Sequence, residues 1–143
     1  MNTVVVANVA SAWMMTGIIW FVQVVHYPLL SVVPVESARG VAVDHQRRTA
    51  RVVGVPMAVE GVTTLWLMLD APDGVPWLLT WAGGACVAVA LLSTVLLSVP
   101  RHTRMAENPD TSVGRELVLT NWPRTVAWTA HGIVSAAIVL HMT

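Results

Sequence analysis

The 143-residue sequence contains no lysine, one cysteine, one tyrosine and one phenylalanine, and only 11% of its residues are charged. Each scarcity excludes something. A lone cysteine, Cys86, excludes an intramolecular disulfide and a cysteine-rich metal centre. A formal net charge of zero leaves no basic tail or stripe, so nucleic acid is not an expected partner. The charge content is less than half of the roughly 25% usual in soluble domains, which excludes an ordinary water-facing surface. Also missing are a glycine-rich phosphate loop, an EF-hand loop, a nucleophile triad and any His-x-x-x-His, Glu-x-x-His or Cys-x-x-Cys pair.

What the chain has instead is apolar length: 55% of it is hydrophobic and its mean hydropathy is +0.66. Four apolar runs, at about 4–30, 52–69, 77–99 and 122–142, each approach the roughly 20 residues that a spanning helix needs. Backbone groups in hydrocarbon must bond within their own segment, so these runs are helices. The fold class expected is all-α, a single domain made of a four-transmembrane-helix bundle. The first run has no positive flank and stays uncharged through Val35, longer than the 7–15 residues of a signal-peptide core, so it is expected to span and remain.

The eight cations are all arginine. Arg39, Arg47, Arg48 and Arg51 fall between runs one and two; Arg101, Arg104, Arg115 and Arg124 fall between or beside runs three and four. The 70–76 turn and both termini carry none. The positive-inside rule then places the arginine-rich loops in the cytoplasm and both termini on the non-cytoplasmic side of a cytoplasmic (inner) membrane, with the lipid bilayer as the certain partner. A single copy and a homodimer are both compatible with this size.

The connections carry local signals. Residues 34–51 are helix-forming and extend the second helix below the membrane, and Gly54 and Pro56 predict a kink. Asn108-Pro109-Asp110 signals a turn, after which Thr111 or Ser112 would cap a short helix to Thr120. Ala82, Cys86, Ala90, Thr94 and Ser98 recur every fourth residue, a small-residue strip suited to close helix approach.

Polar residues inside the apolar runs are the candidate sites, because they are costly there. Glu60, the only acid within a run, and His131 both lie about nine residues, or roughly 13 Å, into helices that start on the same side. They are expected to meet, either as a structural bond or as catalytic, proton-carrying groups. His26, His45 and His102 come from three segments that reach one membrane face, the way an interhelical haem or transition-metal site is assembled. Thr16, Trp20, Gln23 and Tyr27 share a face by 4-3-4 spacing. Arg124, with Asn121 beside it and Trp128 one turn on, either snorkels to headgroups or holds the carboxylate or phosphate of a cofactor or substrate. The face of Thr125, Trp128, His131, Gly132 and Ser135 should point inward. Trp77, Trp122 and His141 read as interfacial.

Several of these residues occur in short motifs. Val25-His26-Tyr27-Pro28-Leu29, His45 before a basic run, Pro56-Met57-Ala58-Val59-Glu60, Pro100-Arg101-His102 and Asn121-Trp122-Pro123-Arg124-Thr125-Val126-Ala127-Trp128-Thr129 follow in that order. Together they resemble a family of short, largely uncharacterised bacterial four-helix integral membrane proteins, with the Asn-Trp-x-Arg-Thr-x-x-Trp-Thr run as the most specific part. The resemblance implies a fold and a membrane location and no activity. This chain differs in having His131 where the family often has an arginine to pair with the acid matching Glu60, and Arg48 where it often has a second histidine. The layout is more distantly similar to four-helix families that hold haem or metal.

Three functions stand open from these residues. The first is a membrane protein binding a metal or haem cofactor, or a small lipophilic substrate, in a polar pocket near the cytoplasmic leaflet, with oxidoreductase chemistry as one outcome. The second is a small proton-coupled transporter built on Glu60. The third is a structural or assembly subunit without chemistry.

Overall fold

A computed structural model describes residues 3–110 and 112–142. Its four long helices are α1 (Thr3–Leu30), α2 (Val35–Leu69), α3 (Trp77–Glu107) and α5 (Trp122–His141); a short helix, α4 (Val113–Thr120), precedes the last. No strand occurs among the described residues. Proline marks the starts: Pro34 and Pro76 stand in extended conformation just before α2 and α3, and Pro123 lies in the first turn of α5, where a missing N–H costs nothing. In the turn joining α2 to α3, Gly74 takes a φ of +80°, a conformation that favours glycine.

Three helices, α1, α2 and α3, are long and apolar enough to cross a membrane. Four long helices form as expected from the sequence, and the fourth, α5, is the less apolar one. At twenty residues α5 has the length, about 30 Å, but Arg124, Thr125, Thr129, His131 and Ser135 dilute its apolar content. It is the polar-cored helix of the bundle, and its buried face is Thr125, Ala127, Trp128, His131, Gly132, Ser135 and Ile138. The second helix extends below its apolar run as expected, so that 52–69 is only the second half of α2, whereas α3 continues past the expected 99 to Glu107. α2 runs as one helix through Gly54 and Pro56.

Two helices change pitch. Val22–His26 in α1 and Thr94–Ser98 in α3 form π-helical turns, closed by i→i−5 bonds from Tyr27 N–H to the Val22 carbonyl and from Val99 N–H to the Thr94 carbonyl. Each lies just before a proline, Pro28 or Pro100. A proline inside a helix removes one bond and presses on the carbonyl four residues back, and the wider turn relieves that contact.

The bundle is apolar outside and partly polar inside. Phe21, Val24, Val55 and Leu96 are all more than half exposed, whereas Asn8, Thr16, Gln23, Glu60 and His131 are buried. That inversion suits a lipid solvent, in which buried polar groups bond one another. One apolar cluster, with Met15, Ile19, Leu30, Met105 and Leu117, fills the arginine-bearing half. A second, with Val5, Leu67, Val75 and Ile138, fills the half holding the 70–76 turn. The seam of α3 is Thr80, Gly83, Val87 and Ala90 rather than the anticipated strip, of which only Ala90 and Ser98 are buried.

Outside the bundle core, α4 is capped by Asp110, whose Oδ1 accepts from the N–H groups of Ser112 (2.7 Å) and Val113 (3.2 Å). The expected Ser112 hydroxyl cap is not formed, and Thr111 lies outside the described residues. Bonds from the Ser112 hydroxyl and Arg104 hold the Asp110 carboxyl well below the usual carboxylate range. Gly114 lets α4 cross the end of α1: a Cβ there would stand 2.4 Å from Ser31 Cα.

Candidate functional site

Two polar clusters lie along the bundle axis, and they differ in how completely their groups are used. The first is centred on Glu60. Its Oε1 lies 2.6 Å from His131 Nδ1, and its Oε2 accepts from the Trp128 indole N–H at 2.8 Å. Thr64, one turn beyond Glu60 on α2, approaches His131 Nε2 at 3.3 Å and accepts from Asn8 Nδ2 at 2.9 Å. Glu60 and His131 are each 2% exposed. Gly83 packs beside the imidazole, and a Cβ there would reach ordinary contact with His131 Cδ2, at 3.5 Å. Both candidate catalytic groups, Glu60 and His131, are thus committed to partners within the protein. Asn8 and Thr64 were not singled out from sequence. The i,i+4 spacing of Glu60 and Thr64, and an asparagine within an apolar run, were the signals available.

A bracket separates the clusters. Asn121 is fully buried; its Nδ2 donates to Gln23 Oε1 (2.9 Å) and Thr125 Oγ1 (3.3 Å), and its Oδ1 accepts from Arg124 (3.0 Å). Gln23 in turn donates to the Val118 carbonyl, tying α1 to α4. Asn121 therefore positions Arg124. Trp128 serves both sides, with its N–H on Glu60 and its ring under the Arg124 guanidinium at 5.2 Å. Trp20 departs from its expected face. It is 42% exposed and donates to Thr129 at the bundle surface.

The second cluster gathers Tyr27, His26, His45, His102 and Arg124 beside the two π turns. Arg124 spends one nitrogen, Nη1, on Tyr27 Oη (3.4 Å), Ser98 Oγ (3.0 Å) and Asn121 Oδ1. Its Nε is buried with no partner. Tyr27 Oη lies 2.9 Å from His102 Nε2, and His102 Nδ1 is likewise buried with no partner. Arg101 Nε is the other such atom, but it faces the Glu116 carboxylate at 3.5 Å.

The proton positions follow from donor counting. Arginine only donates, so Tyr27 Oη accepts from it, and the phenol's own proton finds an acceptor among its contacts only in His102 Nε2. A neutral His102 then carries its hydrogen on Nδ1. Arg124 Nε–H and His102 Nδ1–H are two buried donors without an acceptor, and both residues line a cavity of about 270 Å³ together with His45 and Thr49. A buried donor left unmade costs about 1–3 kcal/mol; both atoms are enclosed by protein, so an acceptor in the cavity reaches them only if the pocket wall shifts.

The three candidate metal ligands, His26, His45 and His102, do come together, but as a stack. Ring centroids are 4.5 Å apart for His26–His45 and 4.8 Å for His45–His102. His26 Nε2 lies 2.6 Å from His45 Nδ1, which also meets Thr49 Oγ1 at 3.1 Å. Two nitrogens bound at about 2 Å to a tetrahedral ion stand roughly 3.3 Å apart, farther than in this contact. Among the described residues no group of three or more His, Cys, Asp or Glu is disposed to hold a metal ion. As placed, the three rings face one another rather than a common centre.

In comparisons with known proteins, no family model, no curated protein sequence and no solved structure matches this chain.

Proposed function

We propose that the protein is an integral membrane protein whose Arg124–His102 cavity binds the oxygen-rich, acidic head of a small lipophilic molecule. The observation that carries this is the pair of buried N–H donors, on Arg124 and His102, left without an acceptor beside one cavity. A carboxylate or phosphate oxygen supplies what both lack, and a guanidinium fixed through Nη1 keeps its Nε side ready for it. By the positive-inside rule the cavity lies towards the cytoplasmic leaflet. The transporter alternative is weaker, because Glu60 already has both oxygens bonded. The group between the clusters, the Trp128 indole, donates a hydrogen and cannot accept one, so it does not relay protons.

The test is ligand binding to protein in lipid nanodiscs, followed through tryptophan fluorescence, since Trp128 lies under Arg124. Decanoate and decyl phosphate are expected to bind saturably to the native protein. Arg124→Lys, which keeps the charge and loses the Nε donor, should weaken them at least tenfold. Equal affinity for the Lys variant would overturn the reading.

A further inference from the structure

The donor cavity has a neighbour. A second cavity, of about 390 Å³, lies between α1 and α2 and is lined by Gly17, Phe21, Val22, Val52 and Val53, with His26 and Arg48 at one end. It is almost wholly apolar apart from that end. The two cavities share Thr49 and Val53, so the apolar groove begins where the donor pocket stops. Phe21 is 59% and Val52 53% exposed, so the groove opens on the outside of the bundle, where lipid would lie. Gly17 leaves its far end empty: a Cβ there would meet nothing within 4 Å. From His26 to Gly17 the groove follows α1 for about 13 Å.

We infer that this groove holds the hydrocarbon tail of the ligand whose head occupies the Arg124–His102 cavity, and that the ligand is a single-chain acidic amphiphile entering sideways from the bilayer. This rests on the head-binding reading above. The groove runs between two helices, and its polar end adjoins the donor pocket through Thr49 and Val53. The backbone supports the same route. The π turn at Val22–His26 lies where groove and pocket meet, and such turns often accompany functional sites. Arg48 is engaged by Asp44 at 2.9 Å at the rim.

The experiment compares tailed and tailless probes in phosphatidylcholine nanodiscs: decanoate against acetate, and decyl phosphate against inorganic phosphate, with empty nanodiscs subtracted for partitioning. The carboxylate and phosphate series identify the head. Tailed probes should bind at least tenfold more tightly than tailless ones. Gly17→Leu, which fills the groove without touching the pocket, should remove about tenfold of that advantage and leave acetate or phosphate binding unchanged. Val52→Trp, from the opposite wall, should do the same and serves if the first variant folds poorly. Unchanged decanoate and decyl phosphate affinity in both variants overturns the groove while leaving the head site standing. Failure of every probe to bind native protein removes the head site and the groove together. Phosphatidylglycerol nanodiscs that compete away the tailed probes in native protein would show a two-chain lipid as occupant and overturn the single-chain assignment.

Discussion

The Glu60 and Arg124 clusters use the same kinds of groups and reach opposite ends. Around Glu60, every strong donor meets an acceptor: His131 and Trp128 on the carboxylate, Asn8 and Thr64 on what remains. Around Arg124, Tyr27, Ser98 and Asn121 hold one nitrogen, while Nε and His102 Nδ1 are left over. A closed network contributes stability; an open one keeps its stabilisation in reserve for something that arrives later. The difference teaches that an intramembrane acid is not by itself the working residue. The less conspicuous arginine, 5.2 Å above the tryptophan that serves both clusters, is the better candidate.

The comparison can be broken by substitution. His131→Ala leaves the buried Glu60 carboxyl without its 2.6 Å partner and opens a cavity, and a loss of about 3–5 kcal/mol in equilibrium unfolding is expected. A loss below about 1 kcal/mol would mean that the lock is not closed. The paired change Glu60→Leu with His131→Leu should recover most of that, because an apolar pair of similar shape can replace a buried hydrogen-bonded one with little cost. Trp128→Phe keeps the ring beneath Arg124 and removes one donor from Glu60, for an expected cost of about 1.5–3 kcal/mol. His102→Phe sharpens the contrast from the other side. It should change stability by no more than about 1 kcal/mol, since it deletes an unpaired donor together with a bonded acceptor, yet binding of decanoate or decyl phosphate should fall at least tenfold. The smallest effect lies outside the bundle. Asp110 is held below its ordinary value of 3.8 by Ser112 and Arg104. Its folded value is the lower one, so its contribution is intact at neutral pH and erodes only as pH falls below about 4. Hydrogen exchange at the first turn of α4 should accelerate in that acidic range in native protein and already at neutral pH in Asp110→Ala.

How far these clusters were legible in the sequence depends on distance along the chain. The apolar runs predicted the helices because periodicity and length are local properties. The meeting of Glu60 and His131 followed from counting depth in two helices that start together. The inward face of α5 followed from its 3.6-residue period. The stacking of His26, His45 and His102 was legible only as convergence. Whether three imidazoles point at a shared centre or at one another depends on rotamers and on the pitch of α1 and α3, neither of which a residue count contains. The roles of Tyr27 and Ser98 as holders of Arg124 were hidden for the same reason. The end of α3 was missed at 99 because hydropathy marks where lipid ends and not where helical bonding ends. The α4 cap went to Asp110 because its short carboxylate reached two N–H groups from the turn itself.

The π turns have a consequence for how the chain tolerates changes of length. A π turn holds one residue more than the α-helix it interrupts. Removing one residue from Val22–His26 would therefore restore an unbroken α-helix and complete its bonding pattern. The residues on either side would keep their phase, because the five residues of the turn advance about as far round the axis as four α-helical ones, which cover about 400°. Tyr27 would stay beside Arg124 and His26 beside His45, and only the widened turn would be lost. The same argument applies to Thr94–Ser98 and His102. A single-residue deletion inside either turn should therefore spare both helix and pocket, whereas a deletion in the unbroken helix before it, at Ile19, would turn Tyr27 away from Arg124 by about 100°.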